Sequence, residues 1–327
     1  MSIEQMGIIF PHCRSKKSPA KSLKIQSVIA ACLFVLLTSL PTYSAAPFES
    51  YSSAQPMGMG GAFTAVADDA SAIFYNPAGL GFIKKGSYNV CGAYLDEYSN
   101  AASSAFDYSF TNMPFRFVVG ATILNNQTKT SYGNIEMQCE RQYFLAFPFM
   151  INHNLAMSIG YKNYMYEQNI MTAYGHVGGS VNSANLGLQY RSDDGSNYAI
   201  YIDNIAKDSF IVRDPSGDRR EESYPARLTI GVANFAMNNK LLFAADVSYT
   251  STPETMGQNL RYNLGCECRI TDSFYLRSGY ATSNIDNEYG MPTIGVGFNM
   301  PWNIAVDLAC AFKKVNDAYL ITLKFKG

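Results

Sequence analysis

The sequence predicts an all-β chain closed into a transmembrane antiparallel barrel of about fourteen strands. Three observations carry that prediction. First, the 327 residues combine few charges (16%) with many aromatics (13%), including 23 Tyr, 20 Phe and one Trp, at a mean hydropathy of only −0.07. Second, runs of about ten residues alternate apolar with small or polar side chains, the period of a strand with one apolar face and about the length that crosses a bilayer at a tilt. Third, the connections between runs alternate between short and long, as expected of a barrel with tight periplasmic turns and longer outer loops.

The composition also excludes several classes. The chain is too polar for a polytopic helical membrane protein, and too poor in charge and rich in Tyr and Phe to be disordered. With 25 Lys+Arg against 26 Asp+Glu it lacks the basic excess of a nucleic-acid binder.

Residues 1–46 read as a cleaved signal peptide. Arg14, Lys16, Lys17, Lys21 and Lys24 face a single acid, Glu4, ahead of the apolar run Val28–Leu40 and the small residues Ser44, Ala45 and Ala46. Met6 is an alternative start. The apolar run is shorter than the roughly 20 residues of a membrane-spanning helix, which favours cleavage over anchoring. Ile29-Ala30-Ala31-Cys32 has the form of a lipobox, but the apolar run continues past Cys32. Removing the leader leaves 20 Lys+Arg against 25 Asp+Glu, a net charge near −5. Cys91, Cys139, Cys266, Cys268 and Cys310 remain, an odd set without framework spacing, which argues against a disulfide scaffold.

Barrel-type runs are expected over residues 87–327, near 87–95, 103–111, 115–124, 139–149, 154–163, 181–191, 196–203, 224–235, 239–249, 258–268, 272–281, 291–299, 303–312 and 317–326. Leu155, Met157, Ile159 and Tyr161 alternate with Ala156, Ser158, Gly160 and Lys162; Ile304, Val306, Leu308, Cys310 and Phe312 alternate with Ala305, Asp307, Ala309 and Ala311. Tight turns are expected at 112–114, 151–153, 193–195, 237–238, 270–271 and 300–302, and longer polar loops at 125–138, 164–180, 204–223, 250–257 and 282–290. An even strand number puts both barrel termini on the periplasmic side. Arg116, Arg227, Asp246, Arg261, Glu267, Arg277 and Asp307 fall mainly on the parity opposite the apolar set and are expected to line the lumen, since a charge facing lipid at mid-depth costs a few kcal/mol. Tyr249, Tyr280, Phe298, Phe312 and Tyr319 suit an interfacial girdle, and Trp302 a periplasmic belt. A soluble sandwich or lipocalin-like barrel would turn the apolar parity inward, but about fourteen strands are too many for one dry core.

Residues 47–86 do not alternate. Gly58, Gly60 and Gly61 permit close backbone approach, and Ala62–Phe74 has the makings of a short helix broken at Asp68-Asp69 and ended by Asn76-Pro77. Read from its residues alone, this stretch is a cap on the periplasmic side. The run Gln55–Leu80 (QPMGMGGAFTAVADDASAIFYNPAGL) resembles the N-terminal signature of the FadL-like outer-membrane transport superfamily, which includes the PorV/PorQ-type proteins. The resemblance implies a barrel whose N-terminal segment folds into the lumen as a hatch or plug. Gly58, Gly60 and Gly61 then pack the hatch against the wall, Asn76, Pro77 and Ala78 match the family's NPA element, and Asp68, Asp69 and Gly79 complete the hatch or gating set. The chain departs from the long-chain fatty-acid transporters in its modest loops, and it ends on Gly327 rather than on an aromatic residue.

No catalytic, cofactor or metal site is expected. The two histidines outside the leader, His153 and His176, have no serine with a partner near them in sequence, and Asp68-Asp69 lack further oxygen ligands for calcium. The mixed charges of 204–223 read as a solvated loop. The expected function is passage of small hydrophobic molecules across the outer membrane of a Gram-negative-type bacterium. The alternatives are a PorV-like scaffold or shuttle for secretion-system proteins, and a structural barrel without substrate. The expected partners are outer-membrane lipid, hydrophobic small molecules or secreted proteins, and no nucleic acid.

Overall fold

The computed structural model describes residues 51–96, 99–109, 113–129, 135–170, 175–205, 209–213, 219–223, 225–251, 260–282, 290–313 and 316–327. The expected leader, and with it residues 47–50, lies outside them.

Among the described residues, sixteen strands follow a short N-terminal helical region. They are β1 (Ser87–Asp96), β2 (Ser99–Ser109), β3 (Arg116–Lys129), β4 (Ile135–Met150), β5 (Leu155–Ile170), β6 (Gly175–Arg191), β7 (Ser196–Asp203), β8 (Ser209–Arg213), β9 (Arg219–Ser223), β10 (Arg227–Ala236), β11 (Leu241–Thr250), β12 (Leu260–Arg269), β13 (Phe274–Ala281), β14 (Met291–Met300), β15 (Ile304–Ala311) and β16 (Ala318–Lys326). All but β8 and β9 form one closed antiparallel barrel of fourteen strands in sequence order, β7 pairing directly with β10. Closure comes from β1 against β16, running from Ser87↔Lys326 to Tyr94↔Tyr319.

The period-two pattern decides the two faces. On β16, Tyr319, Ile321, Leu323 and Phe325 are 40–53% exposed, while Leu320, Thr322 and Lys324 between them are buried. Most barrel strands repeat this, with large apolar side chains outward and small or polar ones inward, although Val118, Phe144, Tyr164, Tyr201 and Leu242 are buried on the inner face. A continuous apolar exterior over a polar interior is the profile of a transmembrane barrel. Aromatic pairs such as Tyr88–Phe325 and Phe274–Phe298 bridge neighbouring strands at their ends. Trp302, 88% exposed, occupies a tight turn with φ of 63°. Cys91, Cys139, Cys266, Cys268 and Cys310 are free thiols.

Two expectations about connections are corrected. Stretches 125–138 and 164–180 are largely strand: β3 and β4 stay paired out to Lys129↔Ile135, and β5 and β6 out to Ile170↔Gly175. Above a bilayer both faces of a hairpin meet water, so the hydrophobic alternation stops while the backbone ladder continues. Likewise β2 begins at Ser99 rather than at 103, leaving only 97–98 between β1 and β2, so the loops at that end are not uniformly long. Within 204–223, β8 and β9 form a separate two-stranded sheet.

The helix expected over Ala62–Phe74 is also corrected. The α-helix, α1, spans Ala54–Gly58, and short 3-10 turns occupy Ala70–Phe74 and Pro77–Phe82. Gly60 and Gly61 stop α1 with φ of 64° and 80°. Asp69 caps the first 3-10 turn by accepting from Ser71 N, and Asn76 caps the second, with Pro77 at its first position.

Candidate functional site

Residues 51–83 fill the barrel and supply most of its largest fully buried apolar side chains. Met57, Met59, Phe63, Ile73, Phe74 and Leu80 are at most 2% exposed and pack on small wall residues such as Ala199, Ala233 and Ala309. Burial of such side chains stabilises by about 1.5–3 kcal/mol each. A lumen lined with Ala, Gly, Ser and Thr has too little apolar bulk of its own, so the segment and the wall complete each other.

A non-repetitive backbone inside a barrel must find partners for its own N–H and C=O groups. Here wall side chains provide them. Thr322 Oγ1 accepts from Ala54 N at 2.8 Å, and Thr293 Oγ1 accepts from Gly60 N at 2.9 Å. One oxygen of Asp246 accepts from Phe63 N, Thr64 N and Thr64 Oγ1 at 3.0, 3.0 and 2.7 Å. Gln189 and Asn197 both donate to Ala65 O, at 2.9 and 3.1 Å. Fully buried Asn76 accepts from Ala78 N at 3.2 Å, and its amide donates to Thr64 O at 3.1 Å and to Leu188 O of β6 at 3.2 Å. It therefore ties its own turn, a distant part of the segment and the wall together.

Gly58, Gly60 and Gly61 lie where the segment meets β12, β13 and β14, and the wall answers with glycines. A Cβ on Gly58 would be 3.0 Å from Gly295 Cα, and one on Gly60 2.5 Å from Tyr280 N. From the wall side, a Cβ on Gly265 would lie 2.5 Å from Met59 O, and one on Gly187 2.3 Å from Asn76 Oδ1. Gly79 is close-packed inside the segment, 2.3 Å from Ala67 O on the same measure. The wall glycines were not among the candidates read from sequence, although a glycine inside a strand at lumen parity is a signal of close backbone approach.

The charged candidates separate into clusters. Arg116 forks onto Asp107 at 2.6 and 2.8 Å and donates to the carbonyls of Ile83 and Lys85, where the segment enters β1. Arg227 meets Asp203 at 3.1 Å, and Asp203 also takes Lys162 at 2.7 Å. Arg261 donates to Asn263 Oδ1 at 3.0 Å and borders, with Arg227, Asp246 and Tyr75, a chamber of about 40 Å³ toward the end with the longer loops. Glu267, Arg277 and Asp307 form a chain: Arg277 Nε to Glu267 at 2.6 Å and Nη1 to Asp307 at 2.5 Å. Lys324 extends it to the segment, 2.7 Å from Asp307 and 2.5 Å from Asp69, and also donates to Gln55 Oε1.

This chain borders a second chamber, of about 130 Å³, at the opposite end, onto which Asp68 opens. Its side chain is exposed to that chamber, yet desolvation by the segment and wall around it, followed by the charge of Asp69, pushes its carboxyl from 3.8 up to about 6, against the opposing pull of Lys324. Burial also works to raise Asp69, but the Lys324 ammonium and the Lys324 and Ser71 hydrogen bonds prevail and hold it below its usual value. Among the described residues no group of His, Cys, Asp and Glu gathers with the geometry of a metal site. Neither chamber approaches the roughly 300–1,000 Å³ of a pocket for a drug-sized ligand.

No family model matches the sequence, and no curated protein matches it. Solved structures do. The CymD monoaromatic hydrocarbon channel aligns with a TM-score of 0.65 at 14% identity, over 86% of this chain and 98% of that one. The Ralstonia pickettii toluene transporter TbuX aligns at 0.61 and 14% identity, over 86% and 100%. A Pseudomonas aeruginosa FadL homologue aligns at 0.61 and 12%, over 84% and 97%. At these identities the likeness is one of architecture, and the chain shares the fourteen-stranded barrel fold of these channels.

Proposed function

We propose that the protein is a FadL-like outer-membrane channel for the passage of small hydrophobic molecules, with residues 51–83 as its hatch. The observation that carries this reading is a transmembrane barrel occluded by its own N-terminal segment, in the fold of proteins described as channels and transporters for monoaromatic hydrocarbons and toluene. An open aqueous pore would leave the lumen wide and leak solutes. A lumen packed with Phe63, Phe74 and Met59 passes nothing until the packing shifts, which suits a solute that must be desolvated on the way through. The hatch and gating residues of this reading are Gly58, Gly60, Gly61, Asp68, Asp69, Asn76, Pro77, Ala78 and Gly79.

Liposomes carrying the purified protein are expected to take up a labelled monoaromatic hydrocarbon or fatty acid faster than protein-free liposomes or liposomes carrying an unrelated plugged barrel. Equal rates for all three overturn the reading. Copurification of a specific secreted protein in detergent, with no gain in uptake, points instead to the scaffold role.

A further inference from the structure

The hatch is tied to the wall in two unlike ways. Most ties are insertions of backbone into glycine notches or hydrogen bonds from its amides and carbonyls to neutral or carboxylate wall groups, and they immobilise Ala54–Ala65 and Asn76–Ala78 from several sides at once. The stretch Ala67–Asp69 differs. Its neighbours are fixed, Ala65 by Gln189 and Asn197 and Ala70 by Ser87 Oγ at 2.9 Å. Among the described residues, its only ion pair or hydrogen bond to the wall is that of Asp69 with Lys324, at 2.5 Å.

Two further features single this stretch out. Ala67 has a φ of 36°, a left-handed conformation that alanine adopts at a cost and that persists only where the surroundings impose it. Beside the Asp69–Lys324 contact lies open space, a chamber of about 130 Å³ lined by Asp68, Asp69, Glu267, Asp307 and Lys324. Ala67 also packs in an apolar cluster with Ala105 and Val118 of the wall, but among the described residues a single charge is the only polar tie of this strained turn to the wall, and the turn borders a void, so it has both a reason and the room to move.

We propose that Lys324 is the latch of the hatch: its ammonium holds Ala67–Asp69 against β16, and release of that contact lets the turn withdraw into the chamber and open the lumen. Lys324 suits the task because it bridges hatch and wall, reaching Gln55 and Asp69 on one side and Asp307 on the other. Asp307 is in turn fixed by Arg277, so the ammonium is held while the turn remains free to leave it. Lys324 is thus a positioning residue. The inference deepens the passage reading and rests on it for its purpose, but its test reads ions rather than hydrocarbons, so the two can fail separately.

The test is single-channel recording of the full chain in planar bilayers. Lys324→Met is expected to raise the frequency of open events at least about tenfold, since loss of one partner of a buried ion pair weakens the closed state well beyond the 1.4 kcal/mol that corresponds to a factor of ten. Asp69→Asn, which cuts the same contact from the hatch side, is expected to reproduce the rise, and Lys324→Arg to stay near wild type. Lys162→Met, which breaks a buried pair within the wall, controls for general loosening and is expected to leave the barrel closed. Closed channels in both Lys324→Met and Asp69→Asn overturn the latch, as does an equal rise in Lys162→Met. Should Lys324→Met fail to insert, Asp69→Asn decides by itself.

Discussion

Gly279 of β13 and Gly60 of the hatch meet backbone to backbone: a Cβ on Gly279 would lie 2.1 Å from Gly60 N. No side chain larger than hydrogen fits at either position, and Gly60 also needs its φ of 64°. The wall strand and the hatch are therefore fitted to each other at the level of the main chain.

Gly279→Ala is expected to displace the hatch and destabilise the protein by about 1–3 kcal/mol, the usual cost of overpacking. Gly92→Ala, whose Cβ would meet nothing nearer than Ile321 Cγ2 at 4.0 Å, is expected to change stability by less than about 0.5 kcal/mol. Denaturant unfolding in detergent, followed by gel mobility and tryptophan fluorescence, compares the two.

Asn76→Ala removes a cap and two donors from a fully buried site, leaving Thr64 O and Leu188 O short of a partner. A loss of about 2–4 kcal/mol is expected from the cap and the stranded carbonyls together. Limited proteolysis should then cut within 51–83 while the barrel stays intact. Resistance equal to wild type would show that Asn76 holds nothing the glycine notches do not.

The raised carboxyl of Asp68 makes the hatch pH-sensitive. With its folded value near 6 against an ordinary 3.8, the folded state binds the proton more tightly than the unfolded chain. Asp68 thus favours the folded state most below the ordinary value, and that contribution is lost as pH rises through about 6. Proteolytic resistance of the hatch is expected to fall across this window, and Asp68→Asn to flatten the profile. An unchanged profile in the variant counts against it.

Arg277→Met leaves buried Asp307 and half-buried Glu267 without their guanidinium. Removal of one partner of a buried pair costs about 3–5 kcal/mol, so the variant is expected to unfold at markedly lower denaturant. Arg277→Lys should recover only part of this, because a single compact ammonium lacks the separate Nε and Nη1 donors with which the planar guanidinium meets Glu267 and Asp307.

On the outer face, Ile321 is 50% exposed midway along β16. Ile321→Arg is expected to lower stability in lipid bilayers by about 2–4 kcal/mol. Thr322, its inward neighbour, faces the hatch instead, and Thr322→Val removes the acceptor for Ala54 N and a hydroxyl beside Cys91, a loss of about 1–3 kcal/mol. The ordering of the two in vesicle refolding titrations tests the assignment of faces.

The barrel was legible because its signal is local. Tyr319, Ile321, Leu323 and Phe325 against Leu320, Thr322 and Lys324 assign both faces of β16 from seven consecutive residues, and most strands repeat the statement independently. The legibility ended where that signal ended. β3 to β6 continue past the bilayer into water, where pairing no longer needs alternation, so the pattern ends β3 and β5 too early and begins β4 and β6 too late. The helix was misplaced for a related reason: Ala62–Phe74 has good helix formers, yet the lumen needs an irregular path there, bending at Gly60, Gly61 and Ala67, and tertiary contacts override propensity.

Within the site, the resemblance pointed to Gly58, Gly60, Gly61 and Asn76, but nothing in the sequence indicated what they face. Gly60 and Gly279 lie more than two hundred positions apart, as do Asp69 and Lys324. By itself the sequence determined the barrel strands and their two faces, because period and hydropathy are properties of neighbouring residues. The tertiary structure alone decided which wall glycine receives which hatch backbone and which lysine holds which aspartate. Those choices depend on barrel closure, which fixes the register of every strand around one enclosed segment.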